Sequence, residues 1–374
     1  MRLLMTTDAV GGVWQYANEL ARALQPHGVE TVLAVIGPNS LSLREREGAP
    51  QARKGEGAGS ANAPIEIIQT GLPLDWLATD PAQVTQAGDA IAALAREVRA
   101  DVVHLNSPAL AARTRFPAPV VVAAHGCVAS WWNAAHGSPP APDYAWHADL
   151  MARGLAAADA VVAPSAAFAA TIQRLYALPA APLVVHNGRA APAVADTEQA
   201  AGAFTAGRLW DPVKNTTLLD EVAALMDTPF RAAGPLAGPH GETASIAHLD
   251  HLGTLSDAEV AATLAGRPVF VSATRFEPFG LSVLEAAAAG CPLVLSNIDT
   301  FRELWTGAAL LVPEETPQAY AAAIDRIEAD PDLRRHLGEA ARVRAARYTP
   351  PAMAAGMAAI YTGLLTPSIQ SAAA

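Results

Sequence analysis

Two cysteines, two lysines and a small share of aromatic residues (6%) set the first limits on this 374-residue sequence. Cys127 and Cys291 are too few for a disulfide framework or a cysteine-rich metal site, and they fall in different expected domains. Lys54 and Lys214 are the only lysines among 25 basic residues, and acidic residues prevail along the whole chain: 15 against 12 basic in residues 1–188 and 21 against 13 in 189–374. A net charge of -11 without a basic patch argues against nucleic acid as a partner. No cluster of Lys and Arg flanks an apolar helix, so peripheral membrane contact has no support in the sequence. The longest apolar runs, such as PVVVAA at 119–124, are strand-sized and far short of a membrane-spanning helix. Met1 leads straight into the strand-like RLLMTT without a signal-peptide pattern, so a cytoplasmic location is expected.

A dinucleotide fingerprint is missing too. GEGAGS within 44–64 has no strand before it, no helix after it, and Ser60 where the third glycine belongs, which argues against a dehydrogenase. That stretch, dense in Gly, Ala and charge, reads as a mobile surface loop.

What the chain does have is a composition that folds, 51% hydrophobic and 16% charged, and a length that suits two domains. Short runs rich in Val, Leu and Ile recur: RLLMTT, TVLAVI at 31, IEIIQ at 65, DVVHLN at 101, PVVVAA at 119, DAVVAP at 159 and PLVVH at 182. They read as buried parallel strands, with helices such as VWQYANELARAL from 13 between them. A second series begins after residue 200 with GAFTAG, PFRAAG, HLDHLG, RPVFVSA, CPLVLS and AALLVP. The expected fold class is therefore α/β, with two Rossmann-like domains. The first spans 1–188, a linker without apolar period spans 189–201, the second domain spans 202–348, and 349–374 forms a C-terminal helix and tail.

Three groups of residues stand out for chemistry. In RFEPFGLSVLEAAAAG, a helix opens near Gly280 and ends at Gly290, with Glu277 in the loop before it and Glu285 little more than one turn inside. Unpaired N–H groups at that helix start suit an anion such as a diphosphate. A surface role for both carboxylates is the ordinary alternative, but Glu285 precedes an AAAAG run on an apolar helix, where burial without a polar partner is costly. In AGRLWDPVKN, Arg208 follows a strand at its carboxyl edge and Lys214 starts the next helix, a placement that opposes the helix dipole unless an anion sits there. In the first half, Gly11 and Gly12 lie between strand one and helix one, and His125 with Gly126 follows PVVVAA. Glycines there admit close approach to the backbone, while a lone His at a strand end is more often structural. Trp131 and Trp132, expected in a loop just beyond, offer faces for a sugar ring or apolar aglycone, whereas Trp14 and Trp76 read as core. Asp330–Pro331–Asp332 mimics a metal-binding DxD, but Asp330 makes a sensible helix N-cap.

Together Arg208, Lys214, Glu277, Glu285, the Gly11–Gly12 turn and His125 resemble the glycosyltransferase family 4 pattern of retaining, nucleotide-sugar-dependent enzymes. HNG at 186–188 and the helix DPDLRRHLGEAARVRA look family-like as well, while Pro278 stands where the commoner core has glycine. The resemblance implies a GT-B fold, two domains facing each other across a cleft with a C-terminal helix crossing back to the first. It implies transfer from a UDP- or GDP-sugar, bound by the second domain, to a glycan, lipid-linked or small-molecule acceptor bound by the first. Glu277 would then meet the donor-sugar hydroxyls, Glu285 the ribose, and Arg208 with Lys214 the diphosphate. His125 would sit near the reacting sugar. Gly12, Pro278, Phe279, Gly280 and Leu281 would complete the donor site, and Gly11, Trp131 and Trp132 the acceptor side. Neither a metal nor a resident cofactor is expected. An epimerase or sugar phosphorylase on the same fold, or a non-catalytic sugar-binding subunit, are the rival readings.

Overall fold

The computed structural model describes residues 1–8, 11–37, 64–190, 199–239 and 241–366. Residues 44–63 of the expected surface loop and 191–198 of the expected linker lie outside them. The chain forms two compact units, one from residues 1–132, 139–188 and 350–374, the other from 133–138 and 189–349.

In the first unit the Val- and Leu-rich runs become strands β1 (Arg2–Asp8), β2 (Glu30–Ile36), β3 (Glu66–Gln69), β4 (Val102–Leu105), β5 (Val120–Ala123), β6 (Ala160–Ala163) and β7 (Leu183–Val184). Between them run helices α1 (Gly12–Leu24), α2 (Pro81–Glu97), α3 (Val128–His136), α4 (Ala145–Ala157) and α5 (Ala166–Leu175). The strands pair in parallel in the order β3-β2-β1-β4-β5-β6-β7. Leu3 to Met5, Val102, Val103 and Val120 to Val122 are all buried, as a sheet covered on both faces requires.

The second unit repeats the scheme with β8 (Ala203–Ala206), α6 (Thr216–Ala223), β9 (Phe230–Ala233), β10 (Asp250–His251), α7 (Asp257–Ala265), β11 (Val269–Ser272), α8 (Leu281–Ala289), β12 (Leu293–Ser296), α9 (Asp299–Trp305), β13 (Leu310–Val312), α10 (Pro317–Glu328) and α11 (Pro331–Ala345). Its parallel sheet has the order β10-β9-β8-β11-β12-β13. In each sheet the strand order switches direction once, beside β1 and β4 in the first and beside β8 and β11 in the second. Ligands of open α/β sheets bind outside the carboxyl ends of the strands at such switch points.

The expected return of the C-terminal helix is found. Helix α12 (Pro350–Leu365) belongs to the first unit, where Met353, Ala354, Met357, Ala358 and Tyr361 join Tyr16, Ala17, Leu20, Ala21 and Leu24 of α1 in one core cluster. Behind this face His104 of β4, fully buried, shares a 2.6 Å hydrogen bond from Nδ1 with the Tyr361 hydroxyl. Asp330 caps α11, its carboxylate accepting from the N–H groups of Asp332 and Leu333. Among the described residues no helix is long and apolar enough to cross a membrane.

Candidate functional site

In the second unit the switch point carries most of the residues that the sequence singles out. Strand β8 ends at Ala206, and the chain passes Gly207 and Arg208 into a 3₁₀ turn, Pro212–Lys214. Lys214 closes this turn and does not start the helix, which is the first correction. Asp211 caps the turn through the Val213 N–H, Pro212 favours its first position, and Asn215 adopts a left-handed conformation (φ 59°) before α6 begins at Thr216. The loop after β11 is tied to the same turn, since the Arg275 N–H donates to the Val213 carbonyl (2.8 Å) and so does the Thr274 hydroxyl (2.9 Å).

These ties bring Lys214 and Glu277 together across 63 positions of sequence, Nζ to Oε2 at 2.6 Å, with both side chains largely but not wholly covered. A Cβ at Gly207 would make only ordinary contact with the lysine, 4.0 Å from Lys214 Cε. Arg208 is held differently. Its guanidinium donates to the buried Asp211 carboxylate (2.8 Å) and lies 5.7 Å from the Trp210 ring, leaving half of its surface exposed.

Helix α8 opens at Gly280, whose left-handed backbone (φ 94°) turns the loop into the helix, and stops at the left-handed Gly290, as its sequence predicts. Phe279 is buried and packs edge-on against Tyr348, so its side chain serves the core. Pro278 and Leu281 stay partly exposed. Glu285 has a partner that sequence reading missed: Arg189 donates from Nε to Glu285 Oε1 (2.6 Å) and from Nη2 to Asp257 Oδ2 (3.1 Å). Arg189 was hidden because it opens a segment without hydrophobic period. The signal was Glu285 itself, a carboxylate on an apolar helix that needs a cation.

The first unit's switch point has Asp8 at the end of β1 and, around His125, groups without charge. Gly11, left-handed at φ 72°, precedes α1, and both Gly11 and Gly12 expose their backbone. His125 lies just beyond β5, with its Nε2 2.9 Å from Asn106 Oδ1 and its ring edge-on to Tyr16 at 4.4 Å. Burial of the ring lowers its pKa to about 4, and burial takes His104 down to about 3, so both imidazoles are neutral at pH 7.

Trp131 and Trp132 are helical, which is the second correction. Cys127 starts α3 early, its Sγ accepting from the Ser130 N–H (3.3 Å) and meeting the Tyr176 hydroxyl (3.1 Å), in the manner of a cap. Both indoles remain partly exposed, Trp132 tilted against the exposed Tyr144 at 5.2 Å. Trp14 and Trp76, expected in the core, are half-buried. Among the described residues no group of three or more His, Cys, Asp or Glu gathers as a metal site would require.

Two family models match the chain, Glycosyltransferase Family 4 over residues 10–189 and Glycosyl transferases group 1 over 242–344, together about three quarters of its length. A GDP-mannose-dependent alpha-(1-6)-phosphatidylinositol dimannoside mannosyltransferase of Mycobacterium tuberculosis is 33% identical over 148 residues, which is 38% of this chain and 38% of that protein. The chain thus matches less than half of the curated relative's length. Among solved structures, sucrose-phosphate synthase from Thermosynechococcus elongatus superposes with a TM-score of 0.76 at 19% identity, covering 98% of this chain and 100% of that one. Anabaena HepE in complex with UDP-glucose gives 0.71 at 16% identity, covering 97% and 100%. At such identities the likeness is one of fold, and that fold is GT-B.

Proposed function

The chain belongs to glycosyltransferase family 4, and from that premise we propose that it is a retaining glycosyltransferase that moves a sugar from a nucleoside diphosphate sugar to an acceptor hydroxyl. The observation that carries the reading is the Lys214–Glu277 pair at the carboxyl edge of β8 and β11. One cation for a diphosphate and one carboxylate for sugar hydroxyls, held 2.6 Å apart, are what a donor presents partners for on either side of its scissile bond.

Breaking a glycosyl–phosphate bond concentrates negative charge on the departing diphosphate. Lys214, Arg208 and the open N–H groups at the start of α8 stabilise that charge as it forms. Glu277 fixes the sugar through its hydroxyls, and Glu285, oriented by Arg189, takes the ribose. A double displacement needs a carboxylate nucleophile against the anomeric carbon. The stretch from His125 into α3 offers Cys127, Ser130 and Asn133 but no Asp or Glu, so attack on the same face as the leaving group is the route we assign, the diphosphate oxygen taking the acceptor proton. In this scheme the positive charge comes from the protein, and transfer persists in excess chelator.

One relative is GDP-mannose-dependent and one structural neighbour was solved in complex with UDP-glucose, so the donor test is comparative. Thermal shift with UDP, GDP and their sugars identifies the base, since a ligand at 100 times its Kd stabilises by about 2.7 kcal/mol. Incubation with that donor then separates the reaction classes: transfer needs an acceptor, an epimerase converts the donor alone, a phosphorylase needs inorganic phosphate, and a binding subunit does none of these. Proton NMR of fresh product reads the anomeric configuration, expected to match the donor's. An inverted product overturns the mechanism.

A further inference from the structure

Asn106, one residue past the end of β4 at the first unit's switch point, is positioned by three hydrogen bonds whose directions follow from chemistry. Its Nδ2 donates to the Thr6 carbonyl at 2.6 Å, and its backbone N–H donates to the Thr6 hydroxyl oxygen at 3.0 Å. A backbone carbonyl only accepts, so the amide nitrogen must be the end that faces Thr6. The other end, Oδ1, then faces His125 Nε2 at 2.9 Å, and an amide oxygen only accepts as well. The proton of that bond must therefore sit on Nε2. We propose that Asn106 is a positioning residue that locks His125 as the Nε2–H tautomer, so that Nδ1 meets the substrate as an acceptor for a sugar hydroxyl.

The surroundings keep the ring in this form. The titratable groups packed against it are Tyr16 of α1 and His104 of β4, and neither carries charge at neutral pH: burial raises the Tyr16 hydroxyl far above its usual range and lowers His104 to about 3. No carboxylate among the described residues bonds the ring, in contrast to the many histidines that are held by Asp or Glu. Among the described residues Nδ1 has no hydrogen-bond partner. A neutral imidazole with its lone pair outward binds an O–H and gives nothing to a phosphate oxygen, so the site discriminates sugar hydroxyl from phosphate. The role in transfer rests on the glycosyltransferase reading; the lock itself does not.

Long-range proton–nitrogen NMR of the ligand-free protein labelled at histidine tests the lock directly, with His125→Gln identifying the signal. The expected spectrum has a protonated Nε2 and a bare Nδ1, unchanged from pH 8 down to about 5 because the ring titrates near 4. A protonated Nδ1, or an imidazolium at pH 7, overturns the proposal without touching the proposed function. Asn106→Asp supplies the kinetic arm: a carboxylate at the same place favours the imidazolium and turns Nδ1 into a donor. Activity of that variant should fall about tenfold or more at pH 6 and recover as the pH rises past the new His125 pKa, a profile that a merely structural loss does not give. Equal activity and an unshifted pH profile in Asn106→Asp would also overturn it. Donor hydrolysis without acceptor, measured alongside transfer, separates the source of the hydroxyl. Loss of both points to the donor sugar, and loss of transfer alone points to the acceptor.

Discussion

The two units place their functional groups at the same point of the same topology and fill it with different chemistry. At the β8/β11 switch the second unit gathers formal charges, Lys214 with Glu277, Arg208 with Asp211, and Arg189 with Glu285 and Asp257. At the β1/β4 switch the first unit has Asp8 at the end of β1 and beside it a set of groups without charge, Asn106, His125, Tyr16 and the buried His104. Its ion pairs around Arg2, to Glu30 and Glu66, sit at the amino ends of the strands, on the other edge of the sheet. A partly covered ion pair carries a desolvation cost that a charged ligand can exploit. A neutral hydrogen-bond network suits an uncharged polar ligand. Topology decides where something binds, and the polar groups decide what kind of thing it is.

The largest expected effect breaks the charged side of this contrast at the sugar. Glu277→Gln should lower turnover on the order of 100-fold while leaving nucleoside diphosphate affinity near wild type, as steady-state kinetics and calorimetry together will read. Loss of diphosphate affinity in step with turnover would place Glu277 on the phosphates instead. Next come the cations. Lys214→Ala and Arg208→Ala should each weaken nucleoside diphosphate binding by about 1.5 to 3 kcal/mol and leave the free nucleoside unaffected, because each removes a charge-assisted contact. Equal loss for nucleoside and diphosphate would show that these side chains do not meet phosphate.

Smaller is the effect of Arg189→Met, which leaves Glu285 without its cation and should raise the donor KM by about tenfold. A double-mutant cycle with Glu285→Gln should return a coupling of about 0.5 to 3 kcal/mol, and additivity would mean the pair is incidental. The mildest test is acidification. His104 and His125 bind protons near pH 6.5 when unfolded, as ordinary histidines do, but only near 3 and 4 when folded. Their contribution to stability is therefore complete above about pH 6.5 and shrinks as the pH falls toward about 4.5, a window in which most carboxylates stay ionised. The first unit should lose melting temperature over that window and the second should not. Parallel loss in both would refute the assignment of buried neutral histidines to one unit alone.

Reading the sequence worked where a signal is local. Parallel strands, the glycine-bounded helix 281–289, the Asp330 cap and the helix opened by Pro350 and Pro351 all follow from patterns of a few residues, and all are present; that this last helix returns to the first unit came only from the family resemblance. It failed where the cause lies far away in the chain. Arg189 finds its meaning 96 positions on, at Glu285, and nothing next to it in sequence hints at that. Asn106 looked like the tail of a strand because its role depends on Thr6 and His125. Trp131 and Trp132 were assigned to a loop because His125, Gly126 and Cys127 look like one, yet the Cys127 side chain caps the next turn and lets a helix begin at Val128. Lys214 missed the helix by two residues because Asn215 takes a left-handed step that few side chains tolerate.

Helix α12 sets an order of events. A ribosome delivers α1 and the first sheet early, but the residues that cover Tyr16, Leu20 and Leu24 arrive only after the whole of 189–349 has been made. At roughly 5 to 20 residues per second, that face of α1 waits about 15 to 70 seconds for Met353, Met357 and Tyr361. During the wait His104 also lacks its hydroxyl partner. The nascent first unit is thus left with an open apolar stripe while its neighbour in sequence is already able to fold, and a stop codon before Pro350 would make that transient condition permanent.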